Sequence, residues 1–223
     1  MDLLKSLFSV FQDQREVLDL ASFDDELAFK ISWNPLVGGG TNFCTRRLRK
    51  KAGLASDLLE FKITFAALLF SILFAVIGLA WLVFLVSSGT QDPMAIFGLV
   101  AIGFLFWNLW ELLRNGSVFD RSSRRFEKGS QSYDLEDLSA IQLIREYVRG
   151  NKQGYYSYEL NLVYADGERI NIVDHGSLRA IREDAAILAD YLHVPIWDAI
   201  DFRIPDSGSA FDIKSEVLRR NIG

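Results

Sequence analysis

Few side chains in this chain are suited to catalysis or metal binding, since it has two histidines and a single cysteine, Cys44. His175 follows Asp174, a carboxylate that can orient an imidazole, but no recognised motif places a serine or cysteine nucleophile with them. His175 stands where a predicted strand gives way to a helix, which favours a capping or exposed residue. Cys44 alone can form neither an internal disulfide nor a cysteine-based zinc site. We predict no catalytic residue, metal site or cofactor, and an Asp174–His175 enzyme is the least favoured alternative.

Three groups of acidic residues are further candidates for metal ligands. They are Asp24–Glu26, Glu136–Asp137 and Glu183–Asp184. The members of each group are neighbours in sequence, so their carboxylates are not expected to converge on one ion. We interpret all three groups as solvated faces.

Three consecutive glycines, Gly38–Gly40, offer backbone amides that can bind an anion. The surrounding sequence lacks the Gly-Lys-Ser/Thr ending of a P-loop and does not match GxGxxG. A flexible turn is therefore the favoured interpretation, and a phosphate cradle is the alternative.

The composition limits the classes of protein to which the chain can belong. Of 223 residues, 50% are apolar and 24% are charged, which excludes a disordered or low-complexity chain. The formal net charge is −5, so there is no overall basic field for nucleic acid. We predict no nucleic-acid partner.

Two apolar runs predict a transmembrane helical hairpin over residues 63–113. The first, from Ile63 to Val86, has 24 residues without a charge, enough to cross a hydrocarbon core of roughly 30 Å. The second runs from Met94 to Leu113. The polar connection over residues 87–93 is short and typical of a tight turn. A buried core helix would explain either run alone, but not both around such a turn.

Lys and Arg residues flank the two outer ends of the predicted hairpin, and its connecting turn contains none. The positive-inside rule then places both termini in the cytoplasm, in a bacterial inner or plasma membrane. The cluster ahead of the first span is juxtamembrane in this interpretation: Arg46, Arg47, Arg49, Lys50 and Lys51. Its effect on topology explains it, and specific lipid recognition is an open alternative.

Small residues recur on one face of the first span: Ala67, Ser71, Ala75 and Gly78. A stripe of small residues lets two helices approach closely. The favoured interpretation is that the two spans pack on each other. A helix of a partner, or of a second copy of the chain, is the alternative.

The sequence outside the hairpin divides into an extension, a domain and a tail. Residues 1–62 are expected to form a cytoplasmic extension with an amphipathic helix over residues 2–12 and a strand or extended stretch from Glu26 to Trp33. Residues 114–200 are expected to form the domain. Residues 201–223 are expected to form a flexible tail.

After residue 114 the apolar period changes from 3.6 to 2, which predicts an antiparallel β domain. Its clearest features are a tight hairpin around Ser122-Ser123 and a type I′ turn at Asp166-Gly167. Ser177 is the expected N-cap of an amphipathic helix over residues 178–192. A small antiparallel meander finished by one helix is the plan of pleckstrin-homology-like domains.

Of the other strands in this domain, one has predicted bounds and one has two possible locations. Clear alternation predicts a strand from Leu138 to Val148. A further strand is expected either in residues 128–137 or after Val194.

Basic and tyrosine residues of this domain are the candidates for contact with lipid or a partner: Arg121, Arg124, Arg125, Lys128, Lys152, Tyr155 and Tyr156. The arginines follow the second span closely, so we expect them beside the bilayer, where they can line a headgroup pocket. Tyrosine is enriched in contact patches, although cross-strand packing explains the tyrosines equally well.

Several stretches resemble the photosystem I assembly protein family of chloroplasts and cyanobacteria: Phe119-Asp120-Arg121, Leu135–Ile141, Asp166–Ile170 and Ala185–Ile196. The resemblance covers about residues 60–198, and its best motif is the helix that ends in Leu-x-Val-Pro-Ile. It implies a two-span hairpin followed by a small cytoplasmic or stromal domain, with a non-enzymatic scaffold role. This chain differs by its N-terminal extension and its tail, so the resemblance does not assign photosystem I as the client.

The sequence thus predicts an α+β membrane protein with a transmembrane hairpin and a pleckstrin-homology-like domain. We expect a membrane-anchored scaffold or assembly factor that binds another integral membrane protein through the β domain. The alternative is a module that binds lipid headgroups.

Overall fold

The structure is a computed structural model that describes residues 15–51, 58–88, 102–103, 105–106, 110, 116–150 and 153–204. The expected helix over residues 2–12, most of the expected second span, Lys152 and the tail after residue 204 lie outside these residues.

Nine strands in the described part of the chain form two sheets. The first sheet has the order β1 to β5 and is antiparallel throughout: β1 Arg46–Lys50, β2 Leu58–Ile63, β3 Ser117–Asp120, β4 Arg125–Lys128 and β5 Gln131–Asp134. The second has the order β8-β7-β6-β9: β6 Leu138–Val148, β7 Tyr155–Tyr164, β8 Arg169–His175 and β9 Ile196–Asp198. In this sheet β9 runs parallel to β6. Helix α1 spans Phe65–Ser88 and helix α2 spans Leu178–Leu192, so the chain is α+β as predicted.

The first sheet combines strands from both sides of helix α1, which differs from the expected boundary at residue 62. β2 ends just before α1, and it pairs with β3 so that Phe61 lies opposite Ser117. β1 pairs with β2 along its whole length. The segment 46–63 therefore belongs to the β domain, which we define as the nine strands and α2. Arginines at the first two positions of β1 obscured its alternation in the sequence.

The main core lies between the two sheets, and α2 closes it. Its fully buried members come from all three layers: Phe61, Phe119, Phe126, Ile141, Leu143, Leu160, Leu162, Ile181 and Leu188. The Phe119 and Phe126 rings stack at 4.6 Å between centroids. Burying each such side chain contributes roughly 1.5–3 kcal/mol. The apolar stripe predicted for the C-terminal helix is therefore its core face.

Helix α2 begins and ends as the sequence predicts. The Ser177 side chain accepts a hydrogen bond from the Ala180 N–H, which confirms it as the N-cap. His193 ends the helix in the left-handed conformation, with φ of 57°. The Val194 N–H then donates to the Ala189 carbonyl, which satisfies one of the last carbonyl groups of the helix.

Residues 15–43, which we call the N-terminal segment, cover the outer face of the second sheet. Trp33 is 5% exposed and packs beside Trp197 of β9, with 6.2 Å between the ring centroids. The extended stretch expected from Glu26 to Trp33 is wrong, because Glu26–Phe29 forms a 3-10 turn. Asp25 caps this turn by accepting the Leu27 N–H at 2.8 Å, as aspartate does at helix starts.

The beginning of the expected flexible tail also belongs to the domain. Phe202 and Ile204 pack against the core beneath the N-terminal segment. The Arg203 N–H donates to the Glu16 carbonyl at 2.8 Å, so the two ends of the described chain meet.

Two turns and two strands refine the predicted β domain. The hairpin around Ser122-Ser123 is confirmed as the connection between β3 and β4. The type I′ turn at Asp166-Gly167 is wrong, because only Gly167 has a positive φ, of 90°. A further strand is present at both expected places, as β5 and β9.

Helix α1 is long and apolar enough to cross a membrane. The most apolar 18-residue window within residues 65–87 has a mean hydropathy of 2.8, and 6% of that window is buried. The covered positions follow a single stripe: Ala67, Leu68, Ser71, Ala75, Gly78, Leu82 and Leu85. This stripe contains all four small residues that the sequence singled out. A side-chain carbon at Gly78 would lie 2.9 Å from Ile102 Cγ1, so residues from the second apolar run cover this face.

Candidate functional site

A polar cleft lies at the end of the first sheet that is farthest from helix α1. The turn between β3 and β4, residues 121–124, follows Asp120, which pairs with Leu58 at the start of β2. Helix α1 begins beyond Ile63 at the other end of β2. Five steps along a strand cover roughly 17 Å. Arg121 and Arg124 therefore lie about one strand length from α1 and not beside it, which corrects their expected position.

Local hydrogen bonds fix the shape of this turn. Asp120 Oδ1 accepts the Ser122 N–H at 2.9 Å, the Ser122 hydroxyl at 2.6 Å and the Ser123 N–H at 3.2 Å. Bonds from Ser122 and then Ser123 hold the pKa of the Asp120 carboxyl below its usual range. Arg124 adopts the left-handed conformation, with φ of 52°, and turns the chain into β4.

The far-end cleft, as we call this site, has a volume of about 510 Å³ and lies between the turn and the end of α2: Arg121, Arg124, Leu135, Glu136, Tyr191, Leu192 and His193. The Arg121 N–H donates to the Tyr191 hydroxyl at 2.8 Å, and the Arg121 guanidinium lies 2.6 Å from His193 Nε2. These contacts join the turn to the helix.

The far-end cleft carries both signs of charge. Arg124 Nη1 lies 2.5 Å from Glu136 Oε1 across the cleft. Arg125 points out of the cleft and donates to the Ser132 hydroxyl at 3.0 Å. Exposed pairs of this kind exchange readily for other partners, because each is worth about 1 kcal/mol or less. The cleft can thus form hydrogen bonds and ion pairs with a protein surface of mixed charge.

Sequence reasoning finds the arginines of this cleft but misses Tyr191 and Glu136. Tyr191 lies in the last turn of α2, three residues after the buried Leu188. Helical spacing places the two residues on one side of the helix, so the sequence could have indicated that Tyr191 faces the domain. Glu136 is exposed, as expected for a solvated acidic pair, but its ion pair with Arg124 makes it part of the cleft.

A second cleft, of about 570 Å³, lies at the open edge where β4 and β5 approach β8. Lys128, one of the predicted lipid contacts, lines it and donates from Nζ to the Asn171 carbonyl at 2.6 Å and to its side-chain oxygen at 3.2 Å. Burial lowers the pKa of Lys128. Its ammonium group is therefore engaged within the domain.

The predicted tyrosine contacts have different surroundings. The Tyr155 hydroxyl donates to the Gly40 carbonyl at 2.8 Å, so this ring holds the N-terminal segment. Tyr156 is 45% exposed, and the Arg145 guanidinium lies 4.4 Å from its ring centroid.

The basic cluster 46–51 forms β1 and the residue after it, and so does not lie as a group beside α1. Arg46 is buried at the α1 end, and Arg47 Nε binds Asp184 Oδ1 of helix α2 at 3.0 Å. The exposed members, Arg49, Lys50 and Lys51, lie toward the far end of the strand. The Asp184 side chain is fully buried, which corrects the interpretation of Glu183–Asp184 as a solvated face.

Asp174 and His175 do not form a catalytic pair, because successive residues of β8 face opposite sides of the sheet. Asp174 accepts a hydrogen bond from the Ser157 hydroxyl on the outer face. His175 is buried on the core side, where Nδ1 accepts the Ser177 N–H at 3.2 Å and Nε2 lies 3.8 Å from Cys44 Sγ. The expected exposure of His175 is therefore wrong, although its contact with the start of α2 is of the capping kind.

The glycine-rich loop already binds carboxylates of its own chain. The Gly39 N–H donates to Glu146 at 3.1 Å, and the preceding amides of Leu36 and Val37 donate to Glu159 at about 3.0 Å. A side-chain carbon at Gly40 would overlap the Asp174 carboxylate. The loop thus contacts the second sheet through its backbone amides, and its flexibility stays a prediction. Glu146 and Glu159 occupy the amides that a phosphate would need.

No protein-family model matches the chain, and no curated protein matches it either. The resemblance to the photosystem I assembly family thus stays a prediction.

Proposed function

We propose that this protein is a membrane-anchored, non-enzymatic scaffold or assembly factor that binds another integral membrane protein through its β domain. The observation that carries the proposal is the far-end cleft: a mixed-charge site one strand length away from the helix that is suited to span a membrane. A scaffold anchored in this way presents the cleft to partners in the aqueous phase.

The anchor in this proposal is a two-helix hairpin. Helix α1 supplies one span, and the close approach of Gly78 to Ile102 and Leu105 supports a second helix packed against it. The basic residues outside the hairpin favour cytoplasmic termini, in a bacterial inner or plasma membrane.

We infer a pleckstrin-homology-like plan for the β domain. Two packed sheets with one helix that closes the core support this inference. Strand β9 and the N-terminal segment are additions to it. Such a domain presents loops at its ends, and the far-end cleft is formed by one of these loops and by the end of α2.

The contacts within the cleft favour a protein partner over an anionic lipid headgroup. Arg124 is paired with Glu136, and an anionic ligand would have to approach that carboxylate. Lys128, the predicted lipid contact at the α1 end of its strand, already donates to Asn171. The ion pair of Arg124 and the hydrogen bonds of Lys128 both weigh against the headgroup-binding alternative.

The test is affinity purification of the full-length protein from its own membranes in mild detergent, followed by mass spectrometry. We expect a stoichiometric membrane protein to co-purify with the unchanged chain and to be lost from the double variant Arg121→Glu, Arg124→Glu. The double variant Arg49→Glu, Lys50→Glu is the matched control, because it makes the same charge change on exposed residues outside the cleft.

Retention of the partner by both variants would exclude the cleft as its binding site. An eluate that contains only lipid and the chain itself would contradict the scaffold proposal and favour headgroup binding.

A further inference from the structure

Three exposed aromatic side chains lie at the end of the β domain that is nearest helix α1. We call them the aromatic rim: Phe43, Tyr147 and Tyr156, which are 38%, 57% and 45% exposed. The core and the far-end cleft do not use them. Exposed aromatic side chains grouped at one end of a domain are a candidate contact surface.

The position of Phe43 connects the rim to helix α1. Its ring centroid lies 5.8 Å from that of Phe70. Phe70 is five residues into the helix from Phe65, or roughly 7.5 Å along its axis. Thr64, just before the helix, donates from its hydroxyl to the Cys44 carbonyl at 2.8 Å and from its N–H to the Thr45 carbonyl at 2.9 Å. Phe43 is thus held beside residues that lie inside the candidate span.

The two tyrosines extend from the same end of the domain. Tyr158 of β7 pairs with His175 at the end of β8, and Tyr156 lies two residues beyond that pair. The Gly176 N–H, immediately after β8, donates to the Phe43 carbonyl at 3.3 Å. Tyr147 lies opposite Tyr156 on β6, with 5.3 Å between the ring centroids. The rim therefore crosses the strand ends from the α1 side to β6.

The residue types match the interfacial layer of a bilayer. Tyrosine combines an apolar ring with a polar hydroxyl and is enriched in the headgroup region, whereas the wholly apolar Phe43 ring lies against Phe70 of α1. Arg145, with its guanidinium over the Tyr156 ring, adds a cation beside the rim that can interact with lipid phosphates. Phe43 packs on α1, so if α1 crosses a bilayer, the rim is brought to the bilayer surface. This contact favours lipid headgroups over a protein as the partner of the rim.

We propose that the aromatic rim lies in the headgroup layer of the bilayer that α1 crosses, so that the β domain is seated on the membrane. This inference rests on the proposed membrane anchor. It explains how a domain attached through β2 and β3 holds one orientation, with the far-end cleft directed away from the lipid.

The test uses the full-length protein reconstituted in phosphatidylcholine vesicles that contain an anionic lipid. Cys44 is replaced by Ala, or in a second background by Ser, so that one introduced cysteine carries an environment-sensitive fluorophore. The labelled positions are Tyr156 and, separately, Tyr147 in the rim, Ser123 in the far-end turn, and Val76 on the exposed face of α1. Quenching by lipids that carry bromine on their acyl chains reports the depth of each label.

We expect a label at Tyr156 or Tyr147 to be quenched at least about twofold more than one at Ser123, because interfacial side chains reach roughly 5–10 Å into the headgroup and acyl boundary. Its emission should be blue-shifted and lie between those at Ser123 and Val76. Quenching at Val76 with rim labels indistinguishable from Ser123 would overturn the seating and leave the anchor intact. Absence of quenching at Val76 would overturn the anchor and the seating together.

Discussion

Burial shifts the pKa values of two adjacent residues of β8, Asp174 and His175, in opposite directions, because one is an acid and the other a base. Burial lowers the pKa of His175 to about 4, so the imidazole is neutral in the core. Burial raises the pKa of Asp174 to about 6, against the effect of the Ser157 hydroxyl, and Glu159 and Glu146 add like charge. A tenfold difference in proton affinity between the folded and the unfolded chain corresponds to about 1.4 kcal/mol of stability.

The signs of these two contributions are opposed between about pH 4 and pH 6.5. At residue 175 the unfolded chain binds a proton more readily than the folded chain does. The stability that neutral His175 contributes is therefore lost as the pH falls from 6.5 toward 4. The folded chain binds a proton more readily at Asp174, so that contribution is lost as the pH rises from about 4 to 6. The two groups therefore offset each other in the unchanged protein.

Single substitutions should separate the two effects. Asp174→Asn removes the group that favours folding at low pH, so the free energy of unfolding should fall more steeply from pH 7 to pH 4, by about 1–2 kcal/mol. His175→Gln should make the same fall shallower. Denaturant unfolding of the full-length protein in detergent at the two pH values measures both. Identical pH profiles for both variants and the unchanged chain would contradict these assignments.

At the scale of elements, the packing of helix α1 requires close contact between its stripe of small residues and Ile102. Gly78→Val places side-chain carbons where Ile102 Cγ1 is already 2.9 Å from an ideal Cβ, so the two helical segments must separate. Forcing a side chain into such a packed contact costs typically about 1–3 kcal/mol. We expect a lower midpoint of thermal unfolding in detergent and faster proteolysis.

The control for this variant is Gly103→Val, because no described atom lies within 4 Å of an ideal Cβ at Gly103. Both substitutions replace glycine by valine in helical, apolar surroundings, so their intrinsic helix propensities cancel. Equal destabilisation by the two variants would show that the helix, and not its packing, is affected.

Elements with a regular period were predictable, and those stabilised by distant contacts were not. β6 and α2 carry apolar residues at spacings of two and of three or four, and both lie where the sequence places them. β1 has arginine at its first two positions, and the partner of Arg47 is Asp184, 137 residues away. Local periodicity contains no information about such a partner. The cleft was predictable only in part for the same reason, since Arg121 meets His193 only after α2 has packed.

At the scale of the whole molecule, the second sheet shows why the N-terminal segment was misassigned. Glu159 and Asn161 alternate with apolar residues along β7, a pattern that is typical of a strand with one solvated face. Both are instead buried, at 1% and 0% exposure. The backbone amides of Leu36 and Val37 donate to Glu159, so the polar face of β7 is covered by the N-terminal segment instead of by water. The N-terminal segment is therefore an integral layer of the domain.

The division of the first sheet around helix α1 leads to a prediction about which parts of the chain fold. Residues 116–204 alone lack the N-terminal segment, β1 and β2, and with the two strands the core side chains Leu48, Leu59 and Phe61. Removal of a large core side chain costs roughly 2–5 kcal/mol, and a domain is stable by only about 5–15 kcal/mol in total. We expect this fragment to be unfolded or insoluble.

A chain that joins residues 15–63 to residues 117–204 by a short glycine-rich turn should fold without helix α1 and the second apolar run. The ends to be joined are close, because β2 and β3 are antiparallel neighbours with Phe61 opposite Ser117. Such a chain keeps both sheets, α2 and the N-terminal segment, so it should be monomeric and show cooperative thermal unfolding by circular dichroism. The 116–204 fragment serves as its comparison. Cooperative folding of that fragment would show that the N-terminal segment, β1 and β2 are dispensable. Failure of the joined chain would mean that the domain requires the segment between Ile63 and Ser117 that the join removes.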